Sequence, residues 1–244
     1  MADIKHFDWS NLDRRSLKFL IKKIGKTVIN APITPLALTK KIRKQIRTAG
    51  IPIKVTTTFK EDTDENSVWV AGLYESYKDK KNTRFITLTL QYNPKDKKIF
   101  YSYPKFDKLC TNIADTILHE VVHTRQYRRR NYKAILGYES FADSGKQRTN
   151  QEYYGHDDEI DAYGFNIACS LTDQFKQDRK SVLNYLNQDL NDDRLKKNPY
   201  KDYLSAFDYN HNHIVIKKLK KKIIYYLPYA ELGKPYKTHD WLKK

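Results

Sequence analysis

The sequence is poor in cysteine and has no long hydrophobic run. Its 244 residues include 2 cysteines, Cys110 and Cys169. Two cysteines are too few for a disulfide framework, so we expect buried free thiols and a reducing, cytoplasmic compartment. No apolar run approaches the roughly 18 residues of a membrane span, which predicts no transmembrane helix and no membrane partner. The charged first ten residues lack an apolar stretch, so we expect no secretory signal there.

Acidic residues are scarce at both ends of the chain. The net charge is +17, divided as +11 in residues 1–60, +3 in 61–130, −5 in 131–195 and +8 in 196–244. Such basic ends can bind nucleic acid or another acidic partner, chiefly through residues 14–47 and 217–222. The alternative is ordinary solubilising charge on exposed helix faces.

Glycine and proline are absent from residues 107–130, a stretch whose apolar spacing predicts a long helix. Within it, His119, Glu120 and His123 form a His-Glu-x-x-His pattern. Histidines four residues apart lie on one helix face, about 40° apart in rotation, so both imidazoles can bind one ion. Zinc binds imidazole readily, and Glu120 can reach a metal-bound water without binding the metal. The alternative is a pair of histidines that are exposed or satisfied in the core.

The patterns around this helix predict an α+β fold with a small, mostly antiparallel sheet of three or four strands. We expect strands at 53–58, 68–77, 85–92 and 99–103. A turn at 93–96 would join the last two as an antiparallel hairpin. We expect a first helix that starts with a capping-box-like pattern at residues 10–13 and ends near Gly25. Further helices are expected at 34–49, 107–130, 157–171, 175–190 and 213–227, with a loop tract at 140–155.

Three regions follow from this reading. Residues 1–50 form a basic helical N-terminal extension, 51–190 form the domain that carries the His-Glu-x-x-His helix, and 191–244 form a basic C-terminal extension with an amphipathic helix. The polar residues 191–199 are expected to link the last two regions.

A zinc ion bound by two histidines needs a third protein ligand and keeps one position for water. Glu159 is our choice, because it falls in the first turn of a predicted helix with the small Ala162 on the same face. His156 is the second candidate. Capping of the helix N-terminus is the alternative explanation for the neighbouring acids Asp157 and Asp158, but it does not require Glu159.

Taken together, the His-Glu-x-x-His helix after a small sheet and the later Glu159-x-x-Ala162 resemble the zincin superfamily of metallopeptidases, in its glutamate-ligand (gluzincin) branch. The run from His119 to Tyr127 is similar to compact metallopeptidase domains of bacteria and their phages. The resemblance covers residues 50–172. Gln126 and Arg129 occupy the places where the metzincin branch has glycine and histidine, which excludes that branch. A third-histidine variant stays open through His156.

The resemblance implies a zinc-dependent endopeptidase that cleaves a protein or peptide substrate. His119, His123 and Glu159 would hold zinc, Glu120 would act as general base, and the substrate would lie along an edge strand of the sheet. Asp115, four residues before His119, is a candidate for orienting that histidine, although a surface carboxylate is the alternative. Candidates for stabilising the oxyanion are Tyr153, Tyr154, His156, Tyr209, His211 and His213.

A second hypothesis places the protein in a different class. Under this hypothesis, the chain binds nucleic acid or another partner and has a zincin scaffold with a structural or vestigial metal. A phage virion component is one such protein. The basic ends motivate this hypothesis, and its hallmark would be binding that weakens steeply with salt.

Overall fold

The computed structural model describes residues 7–75, 85–130, 149–188 and 198–235. Within these ranges the protein is α+β, with a three-stranded mixed sheet and eight α-helices, which confirms the predicted class. The strands are β1 (Ile53–Phe59), β2 (Trp69–Glu75) and β3 (Phe85–Tyr92). The helices are α1 (Arg14–Lys22), α2 (Pro35–Thr48), α3 (Tyr103–Arg129), α4 (Asn150–Gly155), α5 (Asp157–Gln174), α6 (Arg179–Asn187), α7 (Pro199–Ala206) and α8 (Ile214–Leu232). None of these helices is both long and apolar enough to cross a membrane.

The chain forms two compact units, Met1–Thr124 and Arg125–Lys244, and the boundary falls within the residues of α3. The predicted limits of the three regions, at residues 50/51 and 190/191, stay predictions. Both helices from the predicted N-terminal extension contribute to the core of the first unit. Leu17 and Ile21 of α1 are buried, and so are Leu38, Ile42 and Ile46 of α2.

The sheet of the first unit has the strand order β1-β3-β2. The β1 and β3 strands are parallel, with Val55 opposite Leu88, and β2 runs antiparallel to β3, with Gly72 opposite Leu88. The sheet is therefore mixed, and the prediction of a mostly antiparallel sheet was wrong. Alternate residues of β3 are fully buried: Ile86, Leu88, Leu90 and Tyr92.

The hairpin predicted for residues 85–92 and 99–103 does not form. The turn is present, because the Asp96 N–H donates to the Asn93 carbonyl over 3.1 Å. However, β1 and β2 already flank β3 on both sides, so no edge of β3 is left for residues 99–103. Ile99 and Tyr101 instead make isolated bridges with Ile33 and Ile29.

The helix that carries the histidines begins earlier than predicted, at Tyr103. Pro104 falls in its first turn, where a missing N–H costs no helical hydrogen bond. Cys110 on this helix is buried, as is Cys169 on α5, which confirms two buried free thiols among the described residues. Burial raises the pKa of the Cys110 thiol to about 12, as expected for an unreactive core cysteine.

Helices α5 and α8 form the centre of the second unit. They approach closely at Gly164, where an added β-carbon would lie 2.7 Å from the Lys222 Cβ atom. One face of α8 is buried there through Ile216, Leu219 and Ile223. Lys222 also donates to Asp161 of α5 over 2.6 Å, so an ion pair flanks the close packing.

Three predictions for the second unit need correction. Part of the expected loop at 140–155 is helical, because Thr149 and Glu152 form a capping box that starts α4; residues 140–148 lie outside the described ranges. The helix expected from Phe175 begins at Arg179, after Lys176 and Gln177, which have left-handed backbone conformations. The expected linker ends in α7, which starts at Pro199 and was not predicted; residues 191–197 are not described.

Candidate metal centre

The two histidines of the His-Glu-x-x-His pattern lie side by side on α3. Their Nε2 atoms are 3.1 Å apart, and their ring centroids are 4.8 Å apart with the planes at 77°. The carboxylate of Glu120 completes the group, since the candidate ligand atoms of His119, Glu120 and His123 all lie within 4.8 Å of one another. Among the described residues, these three side chains form the group that could hold a metal ion.

This spacing fits a tetrahedral zinc ion. Two imidazole nitrogens, each about 2.05 Å from zinc, are about 3.3 Å apart when the angle between them is tetrahedral. The observed Nε2–Nε2 distance of 3.1 Å is close to that value, so a small adjustment of the rings would bring both nitrogens to one ion. The first unit therefore provides two candidate nitrogen ligands on one helix, with a carboxylate beside them.

The burial of the group is uneven. His119 and Glu120 are 7% and 5% exposed, whereas His123 is only half-buried. The rest of α3 anchors them, because its apolar residues Ile113, Ile117, Val121 and Val122 are fully buried. A buried carboxylate beside a partly accessible imidazole can admit a ligand to one side of the group while the carboxylate stays shielded from solvent.

Glu120 lies directly against β2. A β-carbon built at Gly72 would be 2.5 Å from the Glu120 Oε1 atom and 2.6 Å from its Cγ atom. It would also be 2.8 Å from the Cγ2 atom of Thr116, one turn earlier on α3. The carboxylate of Glu120 therefore occupies space that exists because residue 72 has no side chain. The sequence analysis did not single out this glycine.

Asp115 has a partner that the sequence analysis missed. Arg14 of α1 donates to both carboxylate oxygens, with Nη2 3.0 Å from Oδ2, and the two side chains are 12% and 22% exposed. The contact joins residues 101 positions apart, which local spacing cannot reveal. Its further role in orienting His119 stays a prediction.

Glu159 belongs to the second unit and lies in the first turn of α5, where it is 2% exposed. Tyrosine side chains lie close to it. Burial, the negative charge of Glu159 and hydrogen bonds with Tyr163 and Glu159 raise the pKa of the Tyr153 hydroxyl well above its usual range. Burial and the charge of Glu159 likewise raise the pKa of Tyr203. The assignment of Glu159 as third metal ligand stays a prediction.

The neighbours of Glu159 have structural roles. His156 is the N-cap of α5, with its Nδ1 atom accepting from the Asp158 N–H over 3.3 Å. Asp158 forms a two-pronged ion pair with Arg130, and its backbone carbonyl accepts from Gln126 Nε2 over 3.0 Å. The residues that follow His123 in the chain are thus hydrogen-bonded to the first turn of α5 within the second unit.

The remaining candidates for the oxyanion donor also lie in the second unit. Tyr154 accepts a hydrogen bond at its backbone carbonyl from the Tyr203 hydroxyl over 2.8 Å. His213 is the N-cap of α8 and stacks on Phe207. Tyr209 has a left-handed backbone conformation after α7. Tyr153 differs from these residues because it hydrogen-bonds with Glu159.

Several cations of the basic ends are engaged in ion pairs. In the first unit, Lys18 and Lys22 of α1 both contact Asp107 of α3. In the second unit, Lys218 and Lys222 of α8 contact Asp157 and Asp161. Part of the basic charge thus serves helix packing.

Comparisons of the chain with protein-family profiles, with curated proteins and with solved structures found no match.

Proposed function

We propose that this protein is a zinc-dependent metallopeptidase of the gluzincin type. The observation that carries the proposal is the pair of imidazole Nε2 atoms 3.1 Å apart on one helix, with the carboxylate of Glu120 beside them. Nitrogen ligands at the spacing of a tetrahedral ion, next to a base that need not bind it, suit metal-assisted hydrolysis.

Glu159 is the third ligand in this proposal. Its support is that the Glu159 carboxylate is buried in the first turn of α5, with the small, buried Ala162 one turn later in the same helix. Two imidazoles and one carboxylate form a ligand set that zinc accepts, with the fourth position open.

The substrate class that we propose is an extended peptide segment. In the described part of the sheet, β2 is an edge strand, and Gly72 of β2 lies against Glu120. An edge strand offers unpaired N–H and C=O groups to a chain that adds beside it. A peptide paired along β2 would therefore pass close to the carboxylate of Glu120.

In the proposed reaction, different residues of the chain have different roles. When bound, zinc lowers the pKa of a water and polarises the carbonyl to be cleaved. Glu120 would accept the proton of the attacking water at its carboxylate and return it to the leaving amine. Tyr153 is our candidate for donating a hydrogen bond to the negative oxygen of the carbonyl, because its hydroxyl lies beside Glu159.

Metal content and hydrolysis test the proposal together. We expect the purified protein to retain about one zinc per chain and to cleave an unfolded, fluorophore-quenched protein. Glu120→Gln should keep the zinc but lose about 10²–10⁴-fold in kcat, because the amide cannot accept the proton. His123→Ala should lose the zinc itself. Zinc binding that survives His123→Ala, or hydrolysis that survives Glu120→Gln, would refute the proposal.

A further inference from the structure

We propose that Gly72 is a positioning residue for Glu120: the absent side chain on β2 creates the space in which the carboxylate of the base is held. This inference rests on the proposed function, in which Glu120 is the general base. It adds a residue from the sheet to a site whose other members come from helices.

The first argument is steric. An alanine β-carbon at position 72 would meet both the Oε1 and the Cγ atoms of Glu120, at 2.5 and 2.6 Å. Moving only the carboxylate would not relieve the contact with Cγ, and Thr116 Cγ2 at 2.8 Å restricts the same space. The whole Glu120 side chain would have to rotate away from β2.

The second argument is that backbone conformation does not explain the glycine. Gly72 lies within β2, in register with Leu88, and the glycines with positive φ among the described residues are Gly50 and Gly233. Glycine inside a strand weakens the strand relative to alanine, so its presence at this position calls for a packing reason. Close approach of the Glu120 side chain is that reason.

The consequence for catalysis follows from the precision that proton transfer requires. The base must lie within hydrogen-bonding distance of the proton it removes. A displacement of about 1 Å can cost about 10²-fold in rate. The three atoms nearest to the added β-carbon belong to Glu120 and Thr116 rather than to His119 or His123, so we expect the substitution to disturb the base more than the imidazoles.

The direct experiment is Gly72→Ala in the full chain. We expect kcat to fall about 10–100-fold, with KM within about twofold of the unmutated value and one zinc per chain retained. Gly25→Ala is the matched control, because its β-carbon would also be tight, 3.2 Å from Ile29 and Phe106 in the same unit, but away from the histidines. The control should lower stability and leave kcat unchanged. A kcat for Gly72→Ala within twofold of the unmutated protein would overturn the proposal.

A double-mutant cycle on the metal-free protein gives a readout independent of activity. Gly72→Ala should lower Tm in the normal background and lower it by less than half as much in a Glu120→Ala background, where the space is vacant. If Gly72→Ala alone does not fold, recovery of folding in the Glu120→Ala background supports the contact. Equal losses in both backgrounds would refute it.

Lack of zinc or of hydrolysis in the unmutated protein would instead refute the proposed function, while the stability cycle still decides whether Gly72 makes room for Glu120.

Discussion

The two units anchor their basic helices in the same way but hold their candidate ligands differently. In the first unit, Arg14 of α1 pairs with Asp115 of α3; in the second, Lys222 of α8 pairs with Asp161 of α5. The histidines of the first unit meet through adjacent turns of one helix, whereas Glu159 of the second lies close to tyrosines from other helices. The arrangement of the candidate ligands in the first unit is therefore local, and the surroundings of Glu159 depend on tertiary packing.

The largest expected effect that tests this difference is the change in zinc affinity of a Glu159 variant. We expect Glu159→Gln to weaken zinc binding by more than the roughly 10–100-fold typical of a residue that only orients a ligand. The amide keeps the volume of the buried side chain but loses its charge. The measurement is competition with a chelator of known affinity.

Asp157→Asn is the control for Glu159→Gln, because Asp157 lies in the same helical turn but is 75% exposed. It should bind zinc like the unmutated protein. Equal zinc affinity in both variants would mean that Glu159 serves only the packing of the second unit.

The close packing of α5 and α8 provides the next largest expected effect. Gly164→Ala places a β-carbon 2.7 Å from the Lys222 Cβ atom, so we expect a loss of about 1–3 kcal/mol in the free energy of unfolding. Urea denaturation measures it. Gly155→Ala, whose β-carbon would lie an ordinary 3.8 Å from Val215, should change stability by less than about 0.5 kcal/mol. Similar losses in the two variants would show that the close approach of α8 does not restrict the size of the side chain at position 164.

Ion-pair coupling compares the two anchored helices directly. A double-mutant cycle on Arg14 and Asp115 should give a coupling energy of about 1 kcal/mol, because the pair has two hydrogen bonds and is mostly buried. The Lys218–Asp157 pair is 52% and 75% exposed, and its coupling should be below about 0.5 kcal/mol. Equal coupling energies would show that burial does not make the first ion pair stronger than the second.

The smallest expected effect is a pH dependence at Asp107. Burial alone would raise the pKa of this carboxyl, but hydrogen bonds and charges from Lys18 and Lys22 lower it overall. A lowered pKa stabilises the fold above the unfolded-state pKa of about 4, and that stabilisation is lost as pH falls through the lower, folded value. Replacing both lysines with methionine should therefore lower Tm more at pH 6 than at pH 2. A Tm difference that is constant with pH would contradict this.

The sequence predicts those features that depend on short spacings. The positions of His119 and His123 follow from the period of one helix, and the start of α2 at Thr34 follows from local capping. The capping-box-like pattern at residues 10–13 was placed too early, because Asp13 itself is the N-cap of α1. The sheet topology was harder, because strand propensity at Ile99 and Tyr101 says nothing about whether an edge of β3 is available. Gly72 was missed for the same reason: its meaning depends on a side chain 48 positions away.

The fit between Gly72 and Glu120 has an evolutionary consequence. In homologous chains that keep an acid at position 120, the partner position in β2 should stay glycine, whereas chains that have lost the acid are released from that constraint and can accumulate larger residues there. Covariation of these two positions would then mark the chains in which the space for the proposed base is kept.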